Sequence, residues 1–276
     1  MVPGTRTLTF GDDRSAGADA AWGWVTAHPW PHWEAEVVTV TIPRTRQSDV
    51  SCSDAEPHPW SPPEPRRAPA SCGFGPVRHL AADSDPRLVL GQRAGSDLVV
   101  VGHRGQGLLK ALHLGSTAEW LMRCPTAPLV IARKPQRTRS ILVCVDGSRH
   151  AQAAVEYLGS LPWVAGTTAT VLGVVQWQED LPATVNRAAR ELSGAGVRAR
   201  PVVVEPDLLT LTINPHLTIF EHLDARNIDL VVLGTSGKGP LRRIWVGSVA
   251  SAVARHADCS VLVVRDVHGG DDDGGL

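Results

Sequence analysis

Short apolar runs rich in Val, Leu and Ile alternate along this chain with longer segments in which apolar residues recur every three or four positions. The short runs predict buried strands, and the periodic segments predict amphipathic helices. In the second half, strands are predicted over residues 140–145, 168–175, 197–204, 230–233 and 261–264. Helices are predicted between them over residues 151–161, 181–192 and 213–226, and from Ser248 onward with Ser248 as the N-cap.

The first half follows the same alternation less regularly. Strands are predicted over residues 6–10, 34–42 and 77–80, and helices over residues 18–27 and 86–94, the second capped by Asp83 or Ser84. Residues 43–76 are so rich in proline that a helix is excluded through most of the segment. We interpret it as a degenerate replacement for the helix that the second half carries at residues 181–192. The tail, residues 267–276, is expected to be disordered.

A repeated glycine pattern divides the chain in two. In the second half a strand is followed by glycines, a helix start and another strand, and the key residues are Gly234, Gly237, Gly247 and Ser248. The stretch from Asp97 to Arg133 repeats this pattern at a constant offset of 132 residues. The corresponding residues there are Gly102, Gly105, Gly115 and Ser116. The repeat predicts two domains, over residues 1–135 and 140–266.

Strands that alternate with helices predict an α/β fold with a doubly wound parallel sheet in each domain. Right-handed crossovers and the strand order 3-2-1-4-5 would place the ends of the first and fourth strands side by side. In the second domain this arrangement brings Asp146, at the end of the first strand, opposite Gly234. A ligand at the carboxyl ends of the strands would meet both residues.

The glycine segment and the helix after it have the chemistry of a phosphate site. Glycines let backbone N–H groups approach an anion, and a helix N-terminus adds free N–H groups and the positive end of its dipole. Gly247, Ser248 and Val249 would supply those groups. Asp146 could accept a hydrogen bond from a ribose hydroxyl or a base amine, and Val175 could pack against an adenine. Alternatively, the glycines only shape a turn, and Asp146 is only the first residue of an Asp-Gly turn.

The spacing Gly-x2-Gly-x9-Gly-Ser, set between an apolar strand and a Val-rich final strand, resembles the universal stress protein family. The tandem arrangement is similar to that of its two-domain actinobacterial members. The resemblance implies a Rossmann-like, adenine nucleotide alpha hydrolase-like fold in each domain. It also implies ATP, with or without Mg²⁺, as the ligand of nucleotide-binding members. The residues that match the family's nucleotide motif in the second domain are Asp146, Gly234, Gly237, Gly247 and Ser248.

The first domain keeps most of this motif but departs from it at the opening. Asp12 takes the place of Asp146, and the glycine segment supplies Gly102, Gly105, Gly115, Ser116 and Thr117. Asp13 and Arg14 stand where the second domain has Gly147 and Ser148, which puts nucleotide binding there in doubt. His103 could contact a phosphate, but we favour the interpretation that it is a solvated loop histidine.

Bulk properties narrow the class of protein. The 276 residues carry 27 Lys and Arg against 28 Asp and Glu, a net charge of −1, which gives no electrostatic case for nucleic acid or a membrane surface as partner. No apolar run approaches a membrane span, and the first residues lack the pattern of a secretory signal. Five cysteines without a CxxC pair fit no disulfide or zinc framework. The chain is therefore expected in the cytoplasm, without a metal site.

No catalytic constellation stands out, so the chain is predicted to be a nucleotide-binding stress or regulatory protein rather than a dedicated enzyme. A weak ATPase or autophosphorylation activity stays open. Two other classes stay open as well: a module of the same fold that binds no nucleotide and serves dimerisation or interaction, and a slow ATP hydrolase or nucleotidyl transferase. The two domains are expected to pair about a pseudo-two-fold axis, and a homodimer of chains is possible.

Overall fold

The computed structural model describes residues 5–41, 61–68, 73–93, 95–105, 114–175, 180–205, 214–225, 227–235 and 246–266. The strands of the first half are β1 (Arg6–Gly11), β2 (Trp33–Thr41), β3 (Val77–Asp83), β4 (Leu98–Gly102) and β5 (Leu129–Ala132). Those of the second half are β6 (Ser140–Cys144), β7 (Thr168–Val174), β8 (Arg198–Val204), β9 (Leu230–Gly234) and β10 (Ser260–Val264).

Helices connect these strands on both faces of the sheet. The first half has α1 (Ala16–Thr26), α2 (Pro86–Gly91) and α3 (Ser116–Arg123). The second half has α4 (Arg149–Gly159), α5 (Leu181–Gly194), α6 (Pro215–Asp224) and α7 (Ser248–His256). One buried apolar cluster packs α1, α4 and α5 against one face, and a second packs α2, α3, α6 and α7 against the other. The sheet is therefore doubly wound, as the alternating pattern predicts.

All ten strands form one sheet in the order β3-β2-β1-β4-β5-β10-β9-β6-β7-β8. Each half has the predicted order 3-2-1-4-5, and its strands run parallel. The α/β fold class is confirmed. The near-continuous apolar β4, β9 and β10 are buried on both faces, which is why they carry no polar alternation.

The two halves meet where β5 and β10 pair antiparallel. In that register Val130 lies opposite Leu262, which is its own counterpart at the offset of 132 residues. The neighbouring pairs, Ile131 with Val261 and Leu129 with Val263, are exchanged by the same offset. The joint is thus symmetric about a local two-fold axis through the Val130–Leu262 pair.

An aromatic cluster forms a second contact between the halves. Trp24 and Trp30 of the first half are buried and meet the Trp163 ring of the second half edge-on, at centroid distances of 5.7 and 6.2 Å. His28 lies 4.3 Å from the same ring. Its Nδ1 lies 2.7 Å from the carbonyl oxygen of Trp24, and its Nε2 accepts the N–H of Thr138 at 2.9 Å. The tryptophans therefore serve packing, as the sequence analysis favoured.

Local differences from the predicted elements have simple causes. Asp85, not Asp83 or Ser84, caps α2, because its carboxylate accepts the N–H of Arg87 at the start of the helix. Gly247, not Ser248, is the N-cap of α7. In the proline-rich segment, residues 61–68 form no helix, and residues 42–60 lie outside the described part, as does the tail predicted to be disordered. Among the described residues, no helix has the length and apolar character needed to cross a membrane.

Acid should weaken the contact made by His28. Burial lowers the pKa of His28 to about 4 from the ordinary 6.5, so between these values the unfolded chain binds a proton that the folded chain does not. The free energy of unfolding should therefore fall as the pH drops from about 6.5 to about 4, by on the order of 3 kcal/mol for this one group.

Urea unfolding of the wild type and of His28→Gln across this pH range measures the effect. The variant cannot titrate at position 28, so its stability should depend less steeply on pH. Equal slopes for the two proteins would show that the buried imidazole does not control the acid response.

Candidate functional site

The candidate site lies at the carboxyl ends of β6 and β9, which are adjacent strands of the sheet. Asp146 follows β6, and its Oδ1 accepts the N–H of Ser148 at 2.9 Å. Gly147 between them has φ 76°, a left-handed conformation that a residue without Cβ adopts at low cost. Ser148 then caps α4 by accepting the N–H of Ala151. This turn fixes the Asp146 carboxylate at the strand end.

The helix after β9 begins without a side-chain cap. Gly247 is the N-cap of α7, with φ −56° and ψ 149°, and as a glycine it has no side chain to accept from the first turn. The N–H of Gly247 donates to the carbonyl of Thr235 at 2.7 Å, which holds the start of the helix against the end of β9. The first N–H groups of a helix have no partner within it, so Ser248 and Val249 present donors here.

The need for glycine at position 234 has a packing reason in addition to ligand access. A Cβ at this position would lie 2.6 Å from the carbonyl carbon of His150 and 2.8 Å from the nitrogen of Ala151. The end of β9 and the first turn of α4 can therefore approach this closely only with glycine. Gly102 has the same role in the first half, where a Cβ would lie 2.6 Å from the backbone of Gly17 in α1.

The structure brings most of the predicted second-domain residues to one edge of the sheet. Asp146 and Val175 follow β6 and β7, and the N–H of Val175 donates to the carbonyl of Val204. Gly234 ends β9, and Gly247, Ser248 and Val249 open α7. Gly237 lies outside the described residues. Among the described residues, the Asp146 carboxylate is hydrogen-bonded at one oxygen alone, so its other oxygen is available to a ligand.

The first half repeats this framework. The N–H of Gly115 donates to the carbonyl of His103 at 2.8 Å, the counterpart of the bond between Gly247 and Thr235. Asp13 Oδ1 accepts the N–H of Ser15 at 3.0 Å, and Ser15 caps α1, as Asp146 accepts from Ser148, the cap of α4. Arg14 between them has φ 63°, as Gly147 has φ 76°. The prediction that Asp12 takes the place of Asp146 is therefore wrong, because Asp12 continues β1 by donating its N–H to the carbonyl of Val38, as Val145 continues β6.

Two arginines of the proline-rich segment bind Asp12, the buried carboxylate that precedes Asp13. Arg67 donates through Nε and Nη2 to both oxygens of Asp12 at 2.9 Å, and Arg66 does the same at 3.2 and 3.1 Å. Both guanidinium groups also reach Asp19. Burial by itself raises the pKa of Asp12, but the hydrogen bonds from Arg67, Arg66 and the N–H of Arg14 outweigh it and lower this pKa to about 2. The Asp12 side chain is 1% exposed.

Asp13, the counterpart of Asp146, lies over the glycine segment of the first half. A Cβ on Gly105 would lie 2.3 Å from Oδ2 of Asp13, so this oxygen lies directly over the glycine. The first half differs from the second in the charges beside this carboxylate. Asp12, with Arg66 and Arg67 bound to it, lies next to Asp13, where the second half has the apolar Val145.

His103 is half-buried and is not the solvated loop residue that the sequence favoured. Its Nδ1 is buried without a hydrogen-bond partner among the described residues. Burial, followed by the charges of Arg133 and Arg104, lowers its pKa to about 4, so the ring is neutral at pH 7. Within the described ranges, no group of three or more His, Cys, Asp or Glu side chains is placed to hold a metal ion.

The second half of the chain matches a known protein family. The model described as "Universal stress protein family" matches residues 137–265. Residues 137–265 are therefore similar to universal stress proteins. A universal stress protein of Mycolicibacterium smegmatis is 26% identical over 200 residues, which cover 67% of this chain and 67% of that protein. One from Mycobacterium tuberculosis strain H37Rv is 30% identical over 153 residues, 48% of this chain and 50% of that protein.

The chain thus matches about half to two thirds of the length of these two relatives. Solved structures extend the likeness in fold to nearly the whole chain. A universal stress protein from Archaeoglobus fulgidus DSM 4304 superimposes with a TM-score of 0.66 at 16% identity, covering 95% of this chain and 98% of that one. A functionally unknown protein from Pseudomonas aeruginosa PAO1 gives a TM-score of 0.52 at 15% identity, covering 95% and 92%.

Arg66 and Arg67 were not predicted as partners of Asp12. They lie more than fifty positions from it, in a segment without periodicity, so no local signal connects them. The sequence offers Asp12 and Asp13 side by side, and the hydrogen bond to the helix cap decides that Asp13 matches Asp146. The adjacent arginines, in a segment otherwise dominated by proline, were the available hint.

Alanine at Gly234 should force β9 away from α4. Because the new Cβ would meet backbone atoms, the expected loss of unfolding free energy is about 2–3 kcal/mol. Gly194, the last residue of α5, has no atom within 4 Å of the Cβ position, so Gly194→Ala should stabilise by about 0.5 kcal/mol. Chemical denaturation of both variants tests this, and equal effects would contradict the packing role of Gly234.

Arg66 and Arg67 bind the same two carboxylates but differ in exposure, at 34% and 9% of their side chains. Arg67→Ala should destabilise by about 3 kcal/mol, since it leaves a buried carboxylate with less compensation. Arg66→Ala should cost about 1 kcal/mol or less, because a solvated partner is weakly coupled. Thermal unfolding of both variants at one pH measures the difference, and a larger loss for Arg66→Ala would mean that burial does not set the strength of these pairs.

Proposed function

We propose that the second domain binds one adenine nucleotide, ATP, and that the chain acts as a cytoplasmic regulatory or stress-response protein. The ribose and base would lie at Asp146 and Val175. The phosphates would lie on the glycine segment and on the N-terminus of α7, with or without Mg²⁺. We also propose that the two domains span residues 1–135 and 140–266.

One observation carries this assignment. Among the described residues, one oxygen of the Asp146 carboxylate has no partner, and this carboxylate and the uncapped start of α7 lie at the ends of the paired strands β6 and β9. The N–H of Gly247 donates to the carbonyl of Thr235, which holds the start of α7 at the end of β9. The carboxylate suits the hydroxyl groups of a ribose, and the free N–H groups of α7 suit a phosphate. A ligand that carries both groups at a fixed separation is a nucleotide. The carboxyl edge of a doubly wound sheet, near the reversal of strand order, is also where such folds bind ligands.

The first half supports a stoichiometry of one nucleotide per chain. It has the same framework, yet two guanidinium groups, those of Arg66 and Arg67, are fixed beside its strand end by the buried Asp12. A nucleotide with its ribose at Asp13 would have to displace them. The displacement is unfavourable, because a buried carboxylate that loses its partners is costly.

Binding, rather than turnover, accounts for the residues present at this edge. Asp146 and the backbone donors of α7 position a ligand but supply no nucleophile. A ligand that binds the folded state alone stabilises it in proportion to its concentration. ATP would therefore act by ordering the site and the segments around it. A partner that binds the ordered state would then respond to the ATP concentration.

Matched substitutions at the two helix starts test the proposal. Gly247 and Gly115 have nearly the same backbone conformation, φ −56° and ψ 149° against φ −68° and ψ 147°. Aspartate is a favourable N-cap residue, so both variants should fold. Gly247→Asp should abolish ATP binding by placing a negative charge at the phosphates, whereas Gly115→Asp should leave it unchanged.

The measurement is nucleotide released from denatured protein, identified by mass spectrometry, together with calorimetric titration of ATP. Wild type should bind about one ATP per chain, and Asp146→Ala should bind at least about ten-fold more weakly through loss of hydrogen bonds to a charged group. Two nucleotides per chain would contradict the stoichiometry of one per chain. No nucleotide and no thermal shift with ATP would overturn the proposal in favour of an interaction module, and turnover lost in Asp146→Ala would favour an enzyme.

A further inference from the structure

A cavity of about 320 Å³ lies where the two halves of the chain meet, away from the site of the second domain. The first half supplies the ends of β4 and β5, and the second half supplies the end of α7 and the turn before β10. Four of the lining side chains are cationic, namely Arg104, Arg133, Lys134 and Arg255, against one acid, Asp258. A volume of this size suits a small molecule.

The charge of this cavity is only partly compensated by protein groups. Arg255 donates to Glu119 at 2.6 Å. Arg133 donates through Nη2 to the carbonyl of Ala254 at 2.8 Å, at the C-terminal end of α7. Its Nη1 is buried and has no hydrogen-bond partner among the described residues. Even with Glu119 included, four cations face two acids.

The cations also oppose one another. Burial lowers the pKa of Arg133, and the charge of Arg104 adds to that effect. The same two arginines contribute to the lowered pKa of His103, whose Nδ1 is likewise buried without a described partner. Groups that repel one another in a partly buried cavity favour a bound anion, because it replaces the repulsion with attraction at short range.

The opposite corner of the joint provides an internal comparison. Each lining residue has a counterpart 132 positions away in the other half, and a cavity lined by these counterparts would carry much less positive charge. Arg104 corresponds to Ser236, Lys134 to Asp266, and His256 to Cys124. Two of the four cations have positively charged counterparts: Arg133 corresponds to Arg265, and Arg255 corresponds to Arg123. The excess of positive charge is therefore specific to one corner and is not a requirement of the joint itself.

We propose that this cavity binds the phosphate group of a small phosphorylated molecule. Guanidinium groups present paired N–H donors that match the oxygens of a phosphate, and three of them line the cavity. Since both halves contribute lining residues, a bound phosphate would tie them together at the joint. The assignment does not depend on a nucleotide in the second domain.

Calorimetric titration with inorganic pyrophosphate, in a buffer free of phosphate and nucleotide, tests the proposal. Wild type should bind pyrophosphate with a Kd below about 1 mM. Arg104→Ala and Arg255→Ala should each weaken binding about ten-fold, since each removes a charged hydrogen-bond donor. Absence of binding to the wild type at millimolar pyrophosphate would overturn the proposal.

Arg123→Ala is the matched control for Arg255→Ala. Both arginines donate to the same oxygen of Glu119, at 2.8 and 2.6 Å, and both substitutions remove one positive charge, but only Arg255 lines the cavity. Arg123→Ala should therefore leave pyrophosphate affinity unchanged. An equal loss in both variants would show a general charge effect and contradict a specific site.

Gly247→Asp separates this cavity from the nucleotide site. It should abolish ATP binding while pyrophosphate binding persists with wild-type affinity. If the same substitution removed pyrophosphate binding, the anion would belong to the second domain and the cavity proposal would fail. If pyrophosphate bound as expected but ATP did not bind to the wild type, the cavity proposal would stand and the proposed nucleotide function would fail.

Discussion

The antiparallel pairing of β5 with β10 determines how the rest of the molecule is arranged. Each half is a parallel sheet whose last strand would otherwise be an exposed edge with unpaired backbone groups. Pairing these two strands about the Val130–Leu262 position removes both edges and forms one sheet of ten strands. Because the pairing is antiparallel, the carboxyl ends of the two sets of strands face opposite edges of the sheet. The two nucleotide-type frameworks are thereby kept apart, and the end of β5 is brought beside the beginning of β10.

The same framework is used differently at the two edges. In both halves a Gly N–H bonds to the carbonyl of the residue after the fourth strand, and an Asp oxygen accepts the N–H of the serine that caps the next helix. In the second half one oxygen of this carboxylate has no partner among the described residues. In the first half the neighbouring Asp12 binds Arg66 and Arg67 inside the protein. The proline-rich segment that interrupts the first half is therefore a structural partner of the end of β1.

Glycine positions that look alike in sequence have different physical reasons. Gly102 and Gly234 are required because a Cβ would collide with the first turn of α1 or α4. Gly115 and Gly247 have ordinary negative φ values, so their backbone conformation would accept other residues. What distinguishes them is a helix start without a side-chain cap, which leaves N–H groups for a ligand. The motif thus combines a packing constraint with a binding surface.

The sequence alone determined the α/β class, the repeat, the strand order and most of the residues at the second-domain edge. These follow from local patterns: buried parallel strands are continuous apolar runs, and strand ends are marked by Asp146, Gly234 and Gly247. The charges beside the first-half strand end followed from tertiary structure, because the contact between Arg67 and Asp12 joins distant segments. The strand register, in turn, makes Asp13 the counterpart of Asp146. The basic cavity followed from tertiary structure too, since its charges come from β4, β5 and α7 and meet only when the halves pair. Long-range electrostatic contacts have no period in the sequence, so only the folded chain reveals them.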